Sequence, residues 1–359
     1  MKTNKHFFYI LLIFFIISIN SIYSFSVFLT KNEYSLMLKQ TIFYILGIIL
    51  ILLILKINIK KIIKYSPYIY ITNILLLILV LFFGIEINGT RAWFQIPIIG
   101  TFQPSEFMKI GLILYLAKII DNAKIKNTKD EIKLIIKVLI IVIIPSIITF
   151  LEPDTGAVLI YFVITFFMLF SSKLRYRWFI LLFAAVTITI TTILILYIYK
   201  TNLFIDLFGS SMFYRIDRLF DWTNTEGMQL ENSIISIASS GLTGQGISNI
   251  LLYFPEGHTD FIFTSIASIY GFFGMLITLT TIILFDIKIL TIKTRNIYKY
   301  IINGTSGALI YQQIQNISMT IGLLPITGIT LPFISYGGSS LISYMILLGI
   351  IMNIKNEEK

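Results

Sequence analysis

The stretch FPEGHTDFIF, residues 254–263, places two carboxylates, Glu256 and Asp260, on either side of His258 and then becomes apolar. A carboxylate at such a boundary can be partly desolvated, and desolvation raises its pKa towards a value useful to a general base. The structural interpretation is that these groups are solvated loop residues or a helix cap. Spacing alone does not distinguish the two, so Asp260 is here a candidate general base.

A second group of ionisable residues lies in NGTRAWFQIPIIGTFQPSEFMKIG, residues 88–111. The PSE triplet predicts a helix start with Ser105 as the N-cap and Glu106 at the positive helix end. Glu106 and Lys109 are three residues apart and share a helix face. Ionisable groups in a membrane normally pair or face an aqueous cavity. The pair is either a structural ion pair or part of a cavity wall where Lys109 and Arg91 meet an anionic headgroup.

Two further segments combine polar residues with turn formers. In EPDTG, residues 152–156, a tight turn carries Glu152 and Asp154, and Asp154 can cap the next helix. In LLPITGITLPFISYGGSS, residues 323–340, prolines and glycines interrupt an apolar pattern. Irregular backbone at membrane depth is tolerated only inside protein or along a wet cavity. The segment is therefore either a structural re-entrant loop or a substrate contact.

The elements that must carry these residues are membrane helices. The 359 residues are 57% hydrophobic and only 13% charged, whereas a soluble domain has about a quarter charged residues. The chain has no cysteine, which excludes disulfides and thiolate metal sites. It has two histidines, so a metal ion would have to be a hard cation held by carboxylates.

Apolar runs of about 20 residues, the length that crosses a bilayer, predict an all-α polytopic membrane protein with about ten transmembrane helices. One domain is expected over residues 1–359, with a large extracytoplasmic loop at about 200–260, between spans 7 and 8. In this loop, residues 228–241 and 248–254 are amphipathic, and GLTGQG, residues 241–246, is interpreted as a flexible joint. The spans are expected at about 6–28, 38–55, 66–86, 106–120, 134–151, 156–171, 178–199, 261–285, 301–323 and 336–354.

The charges orient these spans. With both termini in the cytoplasm, most of the 28 basic residues fall in inner segments, as the positive-inside rule requires. The formal net charge of +10 is therefore explained by topology and does not indicate nucleic-acid binding. Most of the 18 acidic residues fall at the outer face. The chemistry is expected at the outer face of the cytoplasmic membrane.

Taken together, the segments resemble the SEDS family (shape, elongation, division and sporulation), the polytopic peptidoglycan polymerases of FtsW and RodA type. Four blocks carry the resemblance and occur in the family's order. They are NGTRAWF with FQPSEFMK (88–109), EPDTG (152–156), PEGHTDFIF (255–263) and LLPITGITLPFISYGGSS (323–340). The family has ten spans, cytoplasmic termini and a large outer loop between spans seven and eight, which agrees with the layout above.

The resemblance implies glycosyl transfer that polymerises lipid II into glycan strands at the outer face, for division or elongation. It makes Asp260 the base or a ligand for a divalent ion, Mg²⁺ or Mn²⁺, without an organic cofactor. It also implies a class B penicillin-binding protein and divisome or elongasome proteins as partners. The substrate-binding candidates are Arg91, Gln103, Glu106, Lys109, Asp154, Arg215, Arg218, Glu256, His258, Ser335, Tyr336, Gly337, Gly338 and Ser339.

The chain departs from the family at Ser268 and Ile269, where glutamates are usual. YRIDRLFDW, residues 214–222, and TLPFISYGGSS, residues 330–340, favour the division type, whereas SMTIGLLPITG, residues 318–328, favours the elongation type. On balance the division type is preferred. Two alternatives from other classes stay open: a transporter that flips lipid II, and a non-catalytic scaffold for a penicillin-binding protein. Loss of glycan synthesis on changing Asp260 would exclude both.

Overall fold

The computed structural model describes residues 4–29, 34–87, 89–97, 100–210, 213, 228–247, 252–294 and 296–358. Ten long helices dominate this part of the chain. They are α1 Lys5–Leu29, α2 Ser35–Ile54, α4 Ser66–Phe83, α5 Pro104–Asp121, α6 Thr128–Leu151, α7 Thr155–Phe170, α8 Arg177–Tyr199, α11 Ile262–Leu290, α12 Ile297–Thr320 and α13 Gly338–Glu357. Shorter helices are α3 Ile59–Lys64, α9 Thr201–Phe208 and α10 Met228–Ser239.

Each long helix coincides with one predicted span, so the helical polytopic architecture is confirmed. Seven of them are long and apolar enough to cross a membrane on their own. α7 is apolar but shorter, and α5 and α12 carry more polar side chains. Most residues of α5 and α12 are buried among other helices, which explains why these two can be less apolar than the helices around them. The count of ten crossings stays a prediction.

A small sheet between α4 and α5 was not predicted. Strands β1 Ile85–Ile87, β2 Thr90–Ile96 and β3 Gly100–Phe102 pair antiparallel in that order. The prediction that one span runs to residue 86 was wrong, because α4 ends at Phe83 and Gly84 is already extended. In β2 the side chain of Ala92 is buried while that of Arg91 is exposed. The sheet forms one rim of the site described below.

The segment between α12 and α13 has irregular backbone over residues 321–337, as expected, and its residues 331–335 are buried. Two side chains of α2 donate hydrogen bonds to this segment. The Tyr44 hydroxyl donates a hydrogen bond to the Phe333 carbonyl, and Gln40 Nε2 donates to the Ser335 carbonyl at 3.1 Å. The buried carbonyls of this broken segment are thereby satisfied inside the protein rather than by lipid.

The outer loop is only partly described. Residues 228–239 form the expected amphipathic helix α10, whereas the stretch 248–254 lies mostly outside the described residues. The interpretation of residues 241–246 as a flexible joint was wrong. Their backbone is hydrogen-bonded to α11 on both sides of Gly271. The glycines therefore allow the two backbone segments to approach closely and do not indicate a flexible loop.

Candidate functional site

A cavity of about 570 Å³ opens where the sheet, the starts of α5, α7 and α13, and the loop before α11 meet. All four sequence blocks contribute to its wall, although they are far apart in the chain. Its predicted members are Gln103, Glu106, Asp154, Glu256, His258, Asp260, Tyr336, Gly337, Gly338 and Ser339. The fold therefore brings ten predicted residues into one site.

Asp260 lies in a tight turn that the broken segment 321–337 fixes in place. Within the turn, the Phe261 amide donates to the Glu256 carbonyl at 2.9 Å. The hydroxyl of Ser335 donates to the Thr259 carbonyl at 2.6 Å. In the same region the Tyr336 amide donates to the His258 carbonyl at 2.9 Å. The turn and the broken segment 321–337 thus form one hydrogen-bonded unit.

The surroundings of Asp260 suit proton transfer. Burial and, to a smaller extent, the charge of Glu256 together raise the pKa of Asp260 to about 7. Near neutral pH the carboxyl group therefore exchanges readily between its two protonation states. Glu256 shares the turn, where its Oε2 accepts a hydrogen bond from the Thr259 hydroxyl at 2.5 Å.

His258 packs as an aromatic ring. Its ring centroid lies 5.7 Å from that of Phe25, stacked, and 5.6 Å from that of Tyr336. Burial lowers its pKa, although the charge of Glu256 opposes this change. Among the described residues, no partner is present for its buried Nδ1 atom. A neutral ring wedged between two aromatic side chains supports the shape of the turn, and its Nδ1 can still bind a polar substrate group.

Asp154 forms the opposite wall. Its Oδ1 accepts the Ala157 amide at 3.0 Å, which caps α7 as predicted. Its Oδ2 accepts hydrogen bonds from Gln103 Nε2 at 3.0 Å and from the Ser105 hydroxyl at 3.1 Å. The prediction that Ser105 caps α5 was wrong, because Gln103 occupies the cap position and the Ser105 side chain turns to Asp154. Burial raises the pKa of Asp154, against the effect of these hydrogen bonds.

Glu106 and Lys109 form the predicted ion pair, with Lys109 Nζ 2.6 Å from Glu106 Oε2. Glu106 lines the cavity, but Lys109 does not. The Lys109 side chain is 1% exposed, and its ammonium lies 4.7 Å from the centroid of the Tyr344 ring. Lys109 therefore stands behind Glu106, and a phosphate in the cavity would meet Glu106 first.

The remaining candidates that the structure describes do not line the cavity. Arg91 is exposed on β2, and Ser335 is buried beneath the wall, where it binds the Thr259 carbonyl. Arg215 and Arg218 lie outside the described residues. Among the lining residues that the structure describes, four carry carboxylates and none is lysine or arginine. Phosphate contacts by Arg91, Lys109, Arg215 and Arg218 stay predictions.

Sequence reasoning missed several lining and supporting residues, and the most informative is Asn316 of α12. Its Nδ2 donates to the Asp260 carbonyl at 2.8 Å and to the Ile329 carbonyl at 2.7 Å. A signal was available, because α12 carries a run of amides inside an expected span and such residues normally have a specific partner. The lining residues missed include Phe43, Thr90, Trp93, Thr101, Gln312, Thr327 and Thr330.

Replacement of Asn316 by alanine should lower both stability and any activity that depends on Asp260. Two buried carbonyls would lose their donor, at about 1–3 kcal/mol each. Gln315→Ala is the matched control, because Gln315 on the same helix donates one hydrogen bond to the broken segment, at Pro325. Thermal melting in detergent and the reaction rate should both fall further for Asn316→Ala. Equal rates in the two variants would contradict a link to Asp260.

Glu152 is a buried carboxyl group beside the site. It is fully buried at the end of α6, and neither side-chain oxygen has a hydrogen-bond partner among the described residues. Burial and, to a smaller extent, the charge of Asp154 together raise its pKa to about 9. The group is therefore neutral at physiological pH, which is how a carboxyl group without partners can be buried.

Glu152→Gln should flatten the pH dependence of stability. The pKa of Glu152 is about 9 in the folded state, above its ordinary value of 4.5, so the folded state loses stability as pH rises between these values. The slope is at most about 1.4 kcal/mol per pH unit. Between pH 5 and 9 the melting temperature should fall steeply with rising pH in wild type and less steeply in Glu152→Gln. The control Glu231→Gln, on the exposed face of α10, should keep the wild-type slope, and a wild-type slope in Glu152→Gln would contradict the buried neutral acid.

The carboxylates of the site suit a Mg²⁺ ion that is bound partly by the protein and partly by substrate phosphates. Among the described residues, no group of three or more histidine, aspartate or glutamate side chains could hold a metal ion. A cage made by the protein alone is therefore not formed there. Mg²⁺, however, is commonly bound by one or two carboxylates together with substrate phosphates. Glu256 and Asp260 in one turn fit that mode.

The fold and the cavity define a multi-pass membrane protein with an acidic site held between helix ends and a broken segment. The chain belongs to the FtsW/RodA/SpoVE family of cell cycle proteins, whose model matches residues 4–359. A relative from Coxiella burnetii, named as a peptidoglycan glycosyltransferase FtsW, is 33% identical over 89% of this chain and 86% of its own. A relative of the same name from Buchnera aphidicola is 31% identical over 89% and 90%.

Solved structures share the fold. A peptidoglycan synthase complex, described as coordinating polymerization and crosslinking, contains a chain that matches with a TM-score of 0.80 at 24% identity, over 97% of this chain and 96% of that one. The rod shape determining protein RodA of Thermus thermophilus matches with a TM-score of 0.69 at 25% identity, over 97% and 95%. Both similarities extend over nearly the whole helical bundle.

Proposed function

We propose that this chain is a peptidoglycan glycosyltransferase that polymerises lipid II at the outer face of the cytoplasmic membrane. The observation that carries the proposal is Asp260, a carboxyl group with a pKa of about 7 in the wall of a cavity where four distant blocks meet. The family and the names of the relatives supply the substrate class. The cavity supplies a group that can take up a proton at neutral pH.

The reaction follows from the placement of that carboxylate. A hydroxyl group of the acceptor sugar gives its proton to Asp260, and its oxygen attacks the anomeric carbon of the donor. The bond from that carbon to the pyrophosphate oxygen breaks, and the lipid pyrophosphate leaves with the bonding electron pair. Asp260 later releases the proton to water. Asn316 and Ser335 hold the turn, so the carboxylate keeps its position while the proton moves.

The leaving pyrophosphate needs positive charge, and the described lining offers four carboxylates but no lysine or arginine. Arg215 and Arg218 of the outer loop are our candidates for this contact. A divalent cation, Mg²⁺ or Mn²⁺, is the other source, and Glu256 and Asp260 would hold it. When bound, such an ion neutralises charge on the phosphate oxygens. Arg91 and Lys109 are weaker candidates, because neither lines the cavity.

The membrane topology is inferred from the distribution of basic residues, and the partner from the solved complex. Both termini are proposed to lie in the cytoplasm, since the predicted inner segments hold most of the basic residues. A class B penicillin-binding protein that crosslinks the strands is the proposed partner, within the division or the elongation machinery. The similarity to a chain of a peptidoglycan synthase complex supports this pairing. The division type is preferred, in line with the FtsW relatives.

The test is glycan synthesis by the purified protein. The protein, alone and with its penicillin-binding partner, is incubated with lipid II and Mg²⁺ or Mn²⁺, and the products are separated by size. Strands longer than the starting disaccharide support the proposal. Transport of lipid II across vesicle membranes with no polymer under any condition would identify a flippase instead. Neither polymer nor transport, in protein that binds its partner, would identify a scaffold.

A further inference from the structure

Helix α11 is interrupted at Gly271, where φ is 62° and ψ is −155°. An interruption deprives carbonyls before it and amides after it of their helical partners, and inside a membrane bundle such groups must be satisfied by protein. One short loop provides partners for four of these groups. The bonds run from the amides of Gln245 and Gly246 to the carbonyls of Ser268 (2.8 Å) and Ile269 (3.1 Å), and from the amides of Phe272 and Phe273 to the carbonyls of Gly241 (3.0 Å) and Leu242 (3.1 Å).

We call this arrangement the backbone splice, made by residues 241–246 and 268–273. Two glycines make it possible. Gly244 and Gly271 both have positive φ, 76° and 62°, and their backbones are in direct contact. A Cβ atom on Gly244 would lie 2.3 Å from the Ile269 carbonyl oxygen, and one on Gly271 would lie 2.3 Å from the Gly244 amide nitrogen. Both contacts are with backbone, which cannot move aside, so neither position admits a side chain.

The part of α11 between the splice and the cavity is buried and hydrogen-bonded to neighbouring elements. Residues 261–269 are all buried, and Asp260 directly precedes them. Helix α10, which leads into the splice, is fixed to the same part of α11. There the Ser233 hydroxyl shares a hydrogen bond of 2.5 Å with the Thr264 hydroxyl and donates to the Thr320 carbonyl at 2.8 Å. A displacement at Gly271 is therefore transmitted along about three helical turns to Asp260.

We propose that the backbone splice positions Asp260. Gly244 and Gly271 set the depth and the rotation of residues 262–270, and thereby the direction in which the Asp260 carboxylate enters the cavity. A slip of one residue would shift this half-helix by about 1.5 Å and rotate it by about 100°. Misplacement of a reacting group by about 1 Å can reduce a rate about a hundredfold. The inference rests on the proposed function of Asp260 as the base.

Gly244→Ala and Gly241→Ala form the test pair. Both glycines have positive φ, but a Cβ on Gly241 would meet no atom within 4 Å, so this control carries the conformational strain without the collision. Gly244→Ala should lower kcat for polymerisation at least about tenfold, with KM for lipid II nearly unchanged, and should shift the acidic limb of the pH profile. Gly241→Ala should keep at least about half of the wild-type kcat and the same limb. Wild-type kinetics in Gly244→Ala, or equal losses in both variants, would overturn the proposal.

Hydrogen exchange of the wild-type protein in lipid nanodiscs tests the splice without any variant. The amides of Gln245, Gly246, Phe272 and Phe273 should exchange as slowly as the helical amides of residues 262–269. Exchange within seconds would refute the splice even if Gly244→Ala fails to fold. If the wild type makes no polymer, the proposed function fails, while slow exchange at these four amides would still establish the splice itself. The two failures are therefore distinguishable.

Discussion

Asp260→Asn should abolish most glycan synthesis while the protein keeps its fold. Asparagine has nearly the same size but cannot accept a proton from the acceptor hydroxyl, and loss of a general base lowers a rate by about 10²- to 10⁴-fold. The Asp260 backbone carbonyl keeps its hydrogen bond from Asn316, so the turn should persist. The measurement is the initial rate of polymer formation from lipid II, at saturating substrate and fixed Mg²⁺.

Asp206→Asn is the control, because Asp206 is exposed on α9 and belongs to the outer loop without lining the cavity. Its rate should equal that of wild type. The melting temperature of Asp260→Asn should not fall, since burial of an ionised carboxylate is removed. Polymer formation by Asp260→Asn at the wild-type rate would exclude Asp260 as the base.

The same assignment fixes the pH dependence. Because the pKa of Asp260 is about 7 and the ionised form is the active base, kcat should rise with pH through about 7 and fall about tenfold per unit below it. Glu256→Gln should move this limb to lower pH, since removal of the Glu256 charge removes one cause of the raised pKa. Burial, the larger cause, would remain. If the acidic limb of the kcat profile does not shift in Glu256→Gln, the charge of Glu256 does not raise the pKa of Asp260.

Much of the fold follows from the sequence because the bilayer leaves few options. Apolar runs separated by charged breaks predict the helices of the bundle, and each matches a helix to within several residues. The sheet at residues 85–102 escaped this reasoning. β1 overlaps the end of one apolar run, and the pairing of the three strands depends on contacts that no local pattern reports. The ends of α4 and α5 were displaced for the same reason.

The site was predictable in its members but less so in its geometry. The acidic residues of three blocks reach one cavity, yet Lys109 and Ser335 lie behind the wall and Arg91 is exposed without lining it. Spacing along a helix shows which residues share a face, but not which of them reaches the surface. Asn316 was missed because its role is to bind two backbone carbonyls, and the sequence does not show where those carbonyls lie.

Ser268 and Ile269 illustrate the same limit. The sequence flags them because glutamates are usual there in the family that the chain resembles. In the structure their side chains are buried, and their carbonyls accept the two amides of residues 245 and 246 in the backbone splice. A backbone bond of this kind is available to any residue type. The departure at these positions therefore leaves the hydrogen bonds of the splice intact.

The pair formed by Glu106 and Lys109 should be strongly asymmetric in its effect on stability. Lys109 is 1% exposed, whereas Glu106 is 13% exposed and faces the cavity. In Glu106→Met the buried ammonium would lose its paired carboxylate and keep Gln312 Oε1, at 3.5 Å, and the Tyr344 side chain. Leaving a buried charge without its counterion costs about 3–5 kcal/mol. In Lys109→Met the Glu106 carboxylate would keep the Ser343 hydroxyl, at 3.2 Å, and the water of the cavity.

Melting temperatures in one detergent should therefore fall most for Glu106→Met and less for Lys109→Met. The double variant Glu106→Met/Lys109→Met should recover much of the loss, because two apolar side chains can replace a buried pair at little cost in stability. A double-mutant cycle then gives a coupling energy for the pair. Equal losses in the two single variants would contradict the asymmetry. A double variant less stable than both singles would show that the pair contributes to stability beyond charge compensation, through contacts that methionine cannot replace.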